Sequence, residues 1–390
     1  MLRRKIIVFS TLAAVLGPWL APAYAASKEI RIGVLVSSTG PAAVVGLPQQ
    51  NTIGLLPRQL DGVRIVYDVL DDGGNPTATV KNARKLIEQD HVDVILGPSL
   101  SPNAVAVMGI AADAKTPMIA GCGTDAVILP MNATRRWIFK TAQTDEIILH
   151  PEISNMLQHH VRRLALLRLN DPLGQEWAKA LEALMPLAAK AGLQLVADEQ
   201  YERVSNSIDA QAIKVIEAKP DAVLIAAVGG SAAMAQSTLR KLGYRGLIYQ
   251  TDGAATPDFI RLAGSSAAGT LMAASPLQVV HQLSASNPFK ATGLAYIDAY
   301  KKMYGKAPAT FGANTYDGWL LLQRALPSAL AKARPGTPAF RAALRNALES
   351  TKGLIGTQGE FNMTPSNHNG MDPRSALMMT VKDGRWKLLQ

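Results

Sequence analysis

Apolar positions along the chain follow two alternating rhythms. Short, dense aliphatic runs such as EIRIGVLV at 29–36, VRIVYDVL at 63–70 and VDVIL at 92–96 have the length and β-branched content of buried strands. Between them lie stretches with helical spacing. Within 77–89, Val80, Ala83, Leu86 and Ile87 share one face. Turn residues punctuate the two rhythms. Ser37-Ser38-Thr39-Gly40-Pro41 precedes a helix over 42–59, and Asp71-Asp72-Gly73-Gly74 precedes Asn75-Pro76, an N-cap followed by proline at the first helical position. A helix opening at Pro102-Asn103-Ala104, a strand over 117–120 and another over 137–141 complete the series. Strand and helix in strict alternation predict a doubly wound parallel sheet.

The pattern then restarts. Helices are expected over 146–160, 175–191, 208–218, 231–242 and 256–262, with strands over 163–168, 193–199, 221–228, 246–250 and 269–274. This second unit is similar in kind to the first without repeating its sequence. From about Ser275 the texture becomes helical, over 288–304, 315–333 and 338–349. The chain closes with a hairpin, 376–382 and 385–389, turning at Asp383-Gly384. The fold class is therefore α/β, with two doubly wound, Rossmann-like lobes and a cleft between them. The chain is expected to cross between lobes near 141–145, 274–280 and 354–361. The lobes are read as 26–143 plus 276–356, and 144–275 plus 357–390.

Residues 1–25 stand apart. Arg3, Arg4 and Lys5 precede an apolar run over 6–20 that is shorter than the roughly 20 residues of a membrane span. Ala23-Tyr24-Ala25 is a small-residue cleavage signal, so this is read as a secretory signal peptide cut after Ala25. A membrane anchor is the alternative. No cysteine near the cut points to a lipid anchor. Export places the mature protein in the periplasm. Its formal charge of +10 falls by three, to +7, with that segment. The remaining basic residues are scattered and aromatics are only 5%, which argues against a nucleic-acid surface. Cys122 is the single cysteine, so no internal disulfide is expected. Its place in a turn of small residues suits a buried filler better than a reactive thiol.

The chemistry-bearing motifs are mostly missing. The first strand leads into GVLVSSTG, not a dinucleotide fingerprint, and there is no phosphate-binding loop, nucleophile elbow or zinc spacing. His159-His160 read as an exposed helix end. No metal or cofactor is expected. Asp71-Asp72 could be an acid/base pair, though a turn before a capped helix is the simpler reading. The most suggestive stretch is 97–124. In open parallel sheets ligands sit beyond the carboxyl ends of the strands, where helix N-termini offer free N–H groups. Here two such strand ends carry Ser99, Ser101 and Thr124, with small residues that allow close approach. This segment is expected to grip a carboxylate. Asp252, past a strand end of the second unit, would face it across the cleft. It would either meet a ligand ammonium or serve as a turn aspartate.

The order of these segments resembles a known family. Ser37-Ser38-Thr39-Gly40-Pro41 after the first strand is followed by Asp71-Asp72-Gly73, VDVILGP at 92–98, TAQTD at 141–145, Thr251-Asp252-Gly253 and ANTYDG at 313–318. Together they resemble the periplasmic substrate-binding proteins of ABC transporters, of the leucine/isoleucine/valine-binding type, over essentially the whole mature chain. The resemblance implies the type I fold with three crossover segments. It implies a non-enzymatic, monomeric protein that closes on a small ligand and delivers it to a membrane permease. It implies a ligand carboxylate held by Ser101, by the backbone at Cys122 and Gly123, and by Thr124, with Asp252 toward an amino group. Three positions where the family commonly carries aromatic rings hold Val45, Leu173 and, near the Gly-Gly turn, Ala227. The missing rings suit an aromatic or aliphatic carboxylate as an alternative to an amino acid. A sensory ligand-binding module, or an exported α/β enzyme using Asp71, Asp72 or Asp252, are the readings from other classes.

Overall fold

The computed structural model describes residues 29–389, so the expected signal peptide and its cleavage site lie outside the described residues. The first sheet is built from β1 (Glu29–Val36), β2 (Gln59–Leu60), β3 (Val63–Asp71), β4 (Val94–Leu96), β5 (Met118–Ala120) and β6 (Ile138–Lys140), in the order β2-β3-β1-β4-β5-β6. All neighbours are parallel except the short edge strand β2. Gln59 of β2 is the residue at which the preceding helix is expected to end. That helix, α1 (Ala43–Leu55), instead stops before Leu56-Pro57, since the residue before a proline disfavours helical backbone. Helices α2 (Pro76–Arg84) and α3 (Ser101–Asp113) cover one face. The Asn75 side chain caps α2, accepting from the N–H groups of Thr77 at 2.8 Å and Ala78 at 3.2 Å. A π-helical turn at Lys85–Gln89 ends the segment that was expected to continue as one α-helix.

The second lobe begins with α4 (Asp145–Gln158). Its strands are β7 (Arg163–Leu169), β8 (Gln194–Tyr201), β9 (Ala222–Ala226), β10 (Leu247–Gln250) and β11 (Leu271–Ala274). Between them run α5 (Pro172–Lys190), α6 (Asp209–Glu217), α7 (Gly229–Lys241) and α8 (Pro257–Ala263). The parallel strands order as β8-β7-β9-β10-β11, which repeats the first lobe's β3-β1-β4-β5-β6. Each sheet therefore reverses its winding once, between β1 and β4 and between β7 and β9. Those reversals are where the crevices of doubly wound sheets open.

The rest of the chain covers and joins the lobes. It comprises α9 (Pro288–Tyr304), α10 (Thr310–Leu330), α11 (Pro338–Glu349), the two-stranded β12 (Leu354–Ile355) and β13 (Glu360–Phe361), and the hairpin of β14 (Leu377–Lys382) and β15 (Arg385–Leu388). The hairpin extends the second sheet antiparallel to β11. Asp383 and Gly384 both take positive φ, 52° and 67°, as a two-residue turn matched to strand twist requires. The cores assign these segments. Leu277, Val279, Val280, Tyr296 and Tyr300 bury with the second sheet, whereas Trp319, Phe340, Leu344, Phe361, Met363 and Met371 bury with the first. The packing thus carries second-lobe character past the crossing read at 276. It also carries first-lobe character past the one read at 357, because each apolar side chain follows the sheet face that buries it.

The crossings are tied together by buried amides. Gln143 donates from Nε2 to the carbonyls of Gln358 at 3.2 Å and Ser375 at 2.9 Å. Asn369 donates from Nδ2 to the carbonyl of Ala142 at 2.7 Å. Asp317 of α10 accepts from the N–H groups of Thr357 at 2.7 Å and Gln358 at 3.1 Å. A buried backbone group without a partner is costly, and each of these side chains satisfies backbone groups where the chain has left regular structure.

Candidate ligand-binding cleft

Between the lobes lies a narrow cleft. The first lobe contributes the ends of β1, β4 and β5 through Val45, Ser99, Leu100, Ser101, Gly121, Cys122 and Gly123. The second lobe contributes the ends of β7, β8, β9 and β10 through Leu173, Arg203, Val228, Thr251, Asp252 and Gly253. The crossings add Ala142, Gln358 and the start of α10, with Thr310, Phe311 and Asn314. The two walls touch. A Cβ built on Gly123 would lie 2.7 Å from the Leu173 methyl Cδ1, and one on Gly229 would lie 2.8 Å from Val44 Cγ1.

The serines after β4 have different roles. Ser99 is engaged inside the first lobe, donating to Gln49 Oε1 at 2.5 Å and accepting from the N–H of Ser37 at 3.0 Å. Ser101 is the first residue of α3, and its Oγ accepts from the N–H of Thr124 at 3.2 Å. That leaves the hydroxyl hydrogen free. The N–H groups of Cys122 and Gly123 have no acceptor in the protein among the described residues. One hydroxyl and two amides thus converge at the end of a helix whose dipole is positive there, an arrangement suited to an anion.

The structure separates the other expected residues. Thr124 is fully buried and does not line the cleft. Its Oγ1 accepts from the N–H of Ala126 at 3.2 Å, capping the turn at Asp125–Val127. Ala227 is also buried behind the wall. Its carbonyl accepts from Thr251 Oγ1 at 3.0 Å, and the neighbouring Val228 faces the cavity. Val45 and Leu173 line the cavity as aliphatic surface. Cys122 is buried, and burial pushes its thiol up to about 12, so it is an inert filler. Asp72 is consumed structurally. It accepts from Ser37 Oγ at 2.6 Å, Thr79 Oγ1 at 2.9 Å and Asn103 Nδ2 at 2.9 Å. Asp71 caps the turn at Ser38–Thr39, so the pair has no free carboxylate for acid/base work. His159 and His160 are exposed. Among the described residues no group of three or more His, Cys, Asp or Glu is placed to hold a metal, and no helix is long and apolar enough to cross a membrane.

Asp252 is half-buried at the wall and makes no ion pair among the described residues. Burial raises its carboxyl to about 6, against the opposing pull of Lys140. Lys140 is itself completely buried, its Nζ 2.5 Å from Asp125 Oδ1 and 2.6 Å from the carbonyl of Gln143. Burial alone would lower that ammonium, but Asp125 and Asp145 hold it above its ordinary value. Asp145 donates its N–H to Asp125 Oδ2 at 3.0 Å, and its own carboxyl is raised by burial and by Asp125. Behind the cleft near the first crossing, one cation therefore stands among three carboxyl groups, of which only Asp252 lines the cavity.

Residues 29–385 match the sequence profile of the periplasmic binding proteins. The chain belongs to that family. An extracellular ligand-binding receptor from Rhodopseudomonas palustris HaA2 is 38% identical, over 93% of this chain and 99% of that one, with a TM-score of 0.89. A Leu/Ile/Val-binding protein, BraC3 of Rhizobium johnstonii, is 22% identical over 272 residues, 68% of this chain and 72% of that protein. The branched-chain amino acid transporter substrate binding protein LivJ of Streptococcus pneumoniae, solved with isoleucine, is 20% identical over 92% of this chain and 98% of that one. Its TM-score of 0.73 is a likeness of fold. The family carries the role: this periplasmic binding protein binds a solute, and the resemblance to the Leu/Ile/Val-binding type holds.

Several lining residues were not legible beforehand. Phe311, Thr310 and Asn314 belong to α10, which starts five residues before the expected 315. Its N-cap, Ala309, makes no side-chain capping bond, so no capping signal marked the start. Arg203 lies in the turn after β8, whose half-exposed pattern does not single out its end.

Proposed function

We propose that this periplasmic binding protein captures a small carboxylate ligand, an amino acid or a related aromatic or aliphatic acid, by closing its lobes on it. It then delivers that ligand to the membrane permease of an ABC importer, acting as a monomer in the periplasm and performing no catalysis. The observation that carries this reading is the cluster of free donors at one end of the cleft, the Ser101 hydroxyl with the N–H groups of Cys122 and Gly123. An anion there replaces water with several directed bonds at once, each strengthened as closure dries the site. The aliphatic lining at Val45, Leu173 and Val228, with the single ring of Phe311, supports an apolar remainder for the ligand. The lobes would pivot at the crossings stapled by Gln143, Gln358 and Asn369. The test is a thermal-shift screen across amino acids, aromatic acids and aliphatic acids. A ligand at 100 times its Kd adds about 2.7 kcal/mol of stability. Turnover of any bound acid would instead favour an enzyme.

A further inference from the structure

Arg203 and Asp252 are the cleft's charged lining residues, and they sit at opposite ends of the second wall. Asp252 follows β10 and Arg203 follows β8, in the strand order β8-β7-β9-β10. Neighbouring strands lie about 4.8 Å apart, so three steps separate the two positions by about 14 Å. Arg203 is held in place by Asp171 Oδ2, to which it donates from one terminal nitrogen. Asp171 is itself fixed as the cap of α5, accepting from the N–H groups of Leu173 at 3.0 Å and Gly174 at 3.2 Å. The remaining guanidinium N–H groups have no acceptor in the protein among the described residues. Leu173, in the first turn of α5 after β7, the strand next to β8, is the residue that meets Gly123 across the cleft. The start of α5, whose cap Asp171 holds Arg203, is thereby set against the first lobe's free donors.

We propose that Arg203 is the second lobe's contact to the ligand carboxylate, and that the preferred ligand is an acid without an α-ammonium. The inference rests on the carboxylate reading above. With the carboxylate between Ser101 and Arg203, closure joins a guanidinium on one lobe to an anion seated on the other, so the acid itself draws the lobes together. An α-amino acid bears its ammonium on the carbon next to that carboxylate, too far along the wall to reach Asp252. Asp252 is left to accept from a hydroxyl or other donor at the ligand's far end, across the apolar middle formed by Val228 and Leu173.

The test uses tyrosine and leucine, their deaminated acids, and the primary amides of those acids, titrated calorimetrically into the wild type, Arg203→Met, Arg203→Lys and Ser101→Ala. The wild type should prefer each deaminated acid over its amino acid and over its amide. Arg203→Met should weaken binding of the acids by roughly 10- to 150-fold, the range for a lost charge-assisted hydrogen bond. It should change the amides less than threefold, and Arg203→Lys should recover part of the loss. Arg203→Met binding the acids within threefold of wild type while Ser101→Ala remains weakened overturns the role of Arg203 and leaves the carboxylate site standing. A wild-type preference for tyrosine or leucine over the deaminated acids overturns the ligand class. Equal binding of acid and amide, or no binding of any probe, overturns the carboxylate reading beneath both.

Discussion

Gly123 offers a way to perturb lobe closure without touching a ligand-binding side chain. Its backbone does not take positive φ, so alanine fits conformationally. The added Cβ would stand 2.7 Å from Leu173 Cδ1 on the opposite lobe, well inside normal van der Waals contact. That methyl ends a flexible side chain, so the overlap falls in the lower part of the overpacking range, about 1–2 kcal/mol. The strain exists only while the walls touch. When the lobes part, the new methyl faces water and costs little, within about 0.5 kcal/mol. Gly123→Ala should therefore weaken ligand binding about 5- to 30-fold, while the ligand-free protein melts almost where the wild type does. Gly123→Val should be worse, and Leu173→Ala in the same chain should relieve the clash. The assay is calorimetric affinity combined with the radius of gyration from solution scattering, with and without ligand. A double variant no better than Gly123→Ala would refute cross-cleft contact as the cause. Equal losses in ligand-free stability and affinity would show that Gly123 acts within its own lobe.

Three further outcomes follow from the same geometry. Ser101→Ala should cost about 1–3 kcal/mol in binding through a lost charge-assisted bond, whereas Thr124→Ala should act mainly on stability, about 1 kcal/mol, as a lost cap; calorimetry and melting separate the two. Burial raises Asp252 to about 6, and its protonation removes a negative charge from the wall, so binding of an acid without a distal hydroxyl should tighten as pH falls through that value. Asp252→Asn should abolish that trend in titrations between pH about 5 and about 8. Asp317 is raised by burial to about 7, so its contribution to stability is fully present below its unfolded value and is lost as pH rises through about 7. Asp317→Asn should melt with a flatter pH profile than the wild type, and an unchanged slope would refute this.

The strands were legible because both faces of each parallel sheet are covered. Val94–Leu96 and Ala222–Ala226 are buried at every position, and so appear in sequence as unbroken apolar runs. The start of α2 was marked by Asn75, whose side chain does cap it, whereas α5 begins at Pro172, three residues before the expected 175, with Asp171 as its cap. What the period of apolar residues could not supply was sheet order, and with it the juxtaposition of loops distant in sequence. Ser101, Cys122 and Gly123 could be grouped beforehand because β4 and β5 are consecutive in the chain and adjacent in the sheet. Arg203 could not. It follows an edge strand whose exposed residues resemble any solvated surface, and only the placement of β8 beside β7 brings it to the wall.

The same distinction explains why Asp252 stayed ambiguous between a ligand contact and a turn residue. Its state depends on Lys140 and Asp125, which lie more than a hundred positions earlier in the chain. Lys140 lies within the expected strand 137–141, and the structure makes it the buried counter-charge behind the cleft. One ammonium cannot neutralise Asp125, Asp145 and Asp252 together, and burial makes each uncompensated carboxylate costly. Protons relieve that excess, which is why Asp145 and Asp252 are both raised. A ligand cation would relieve it as well, and an α-ammonium is the rival occupant to a distal hydroxyl. The two differ in what Asp252→Asn does. Losing the carboxylate should weaken a ligand held by its ammonium far more than one that donates a neutral hydroxyl, because only the first leaves a charge without its partner. The size of that loss, measured beside Arg203→Met on the same ligands, places the carboxylate along the wall.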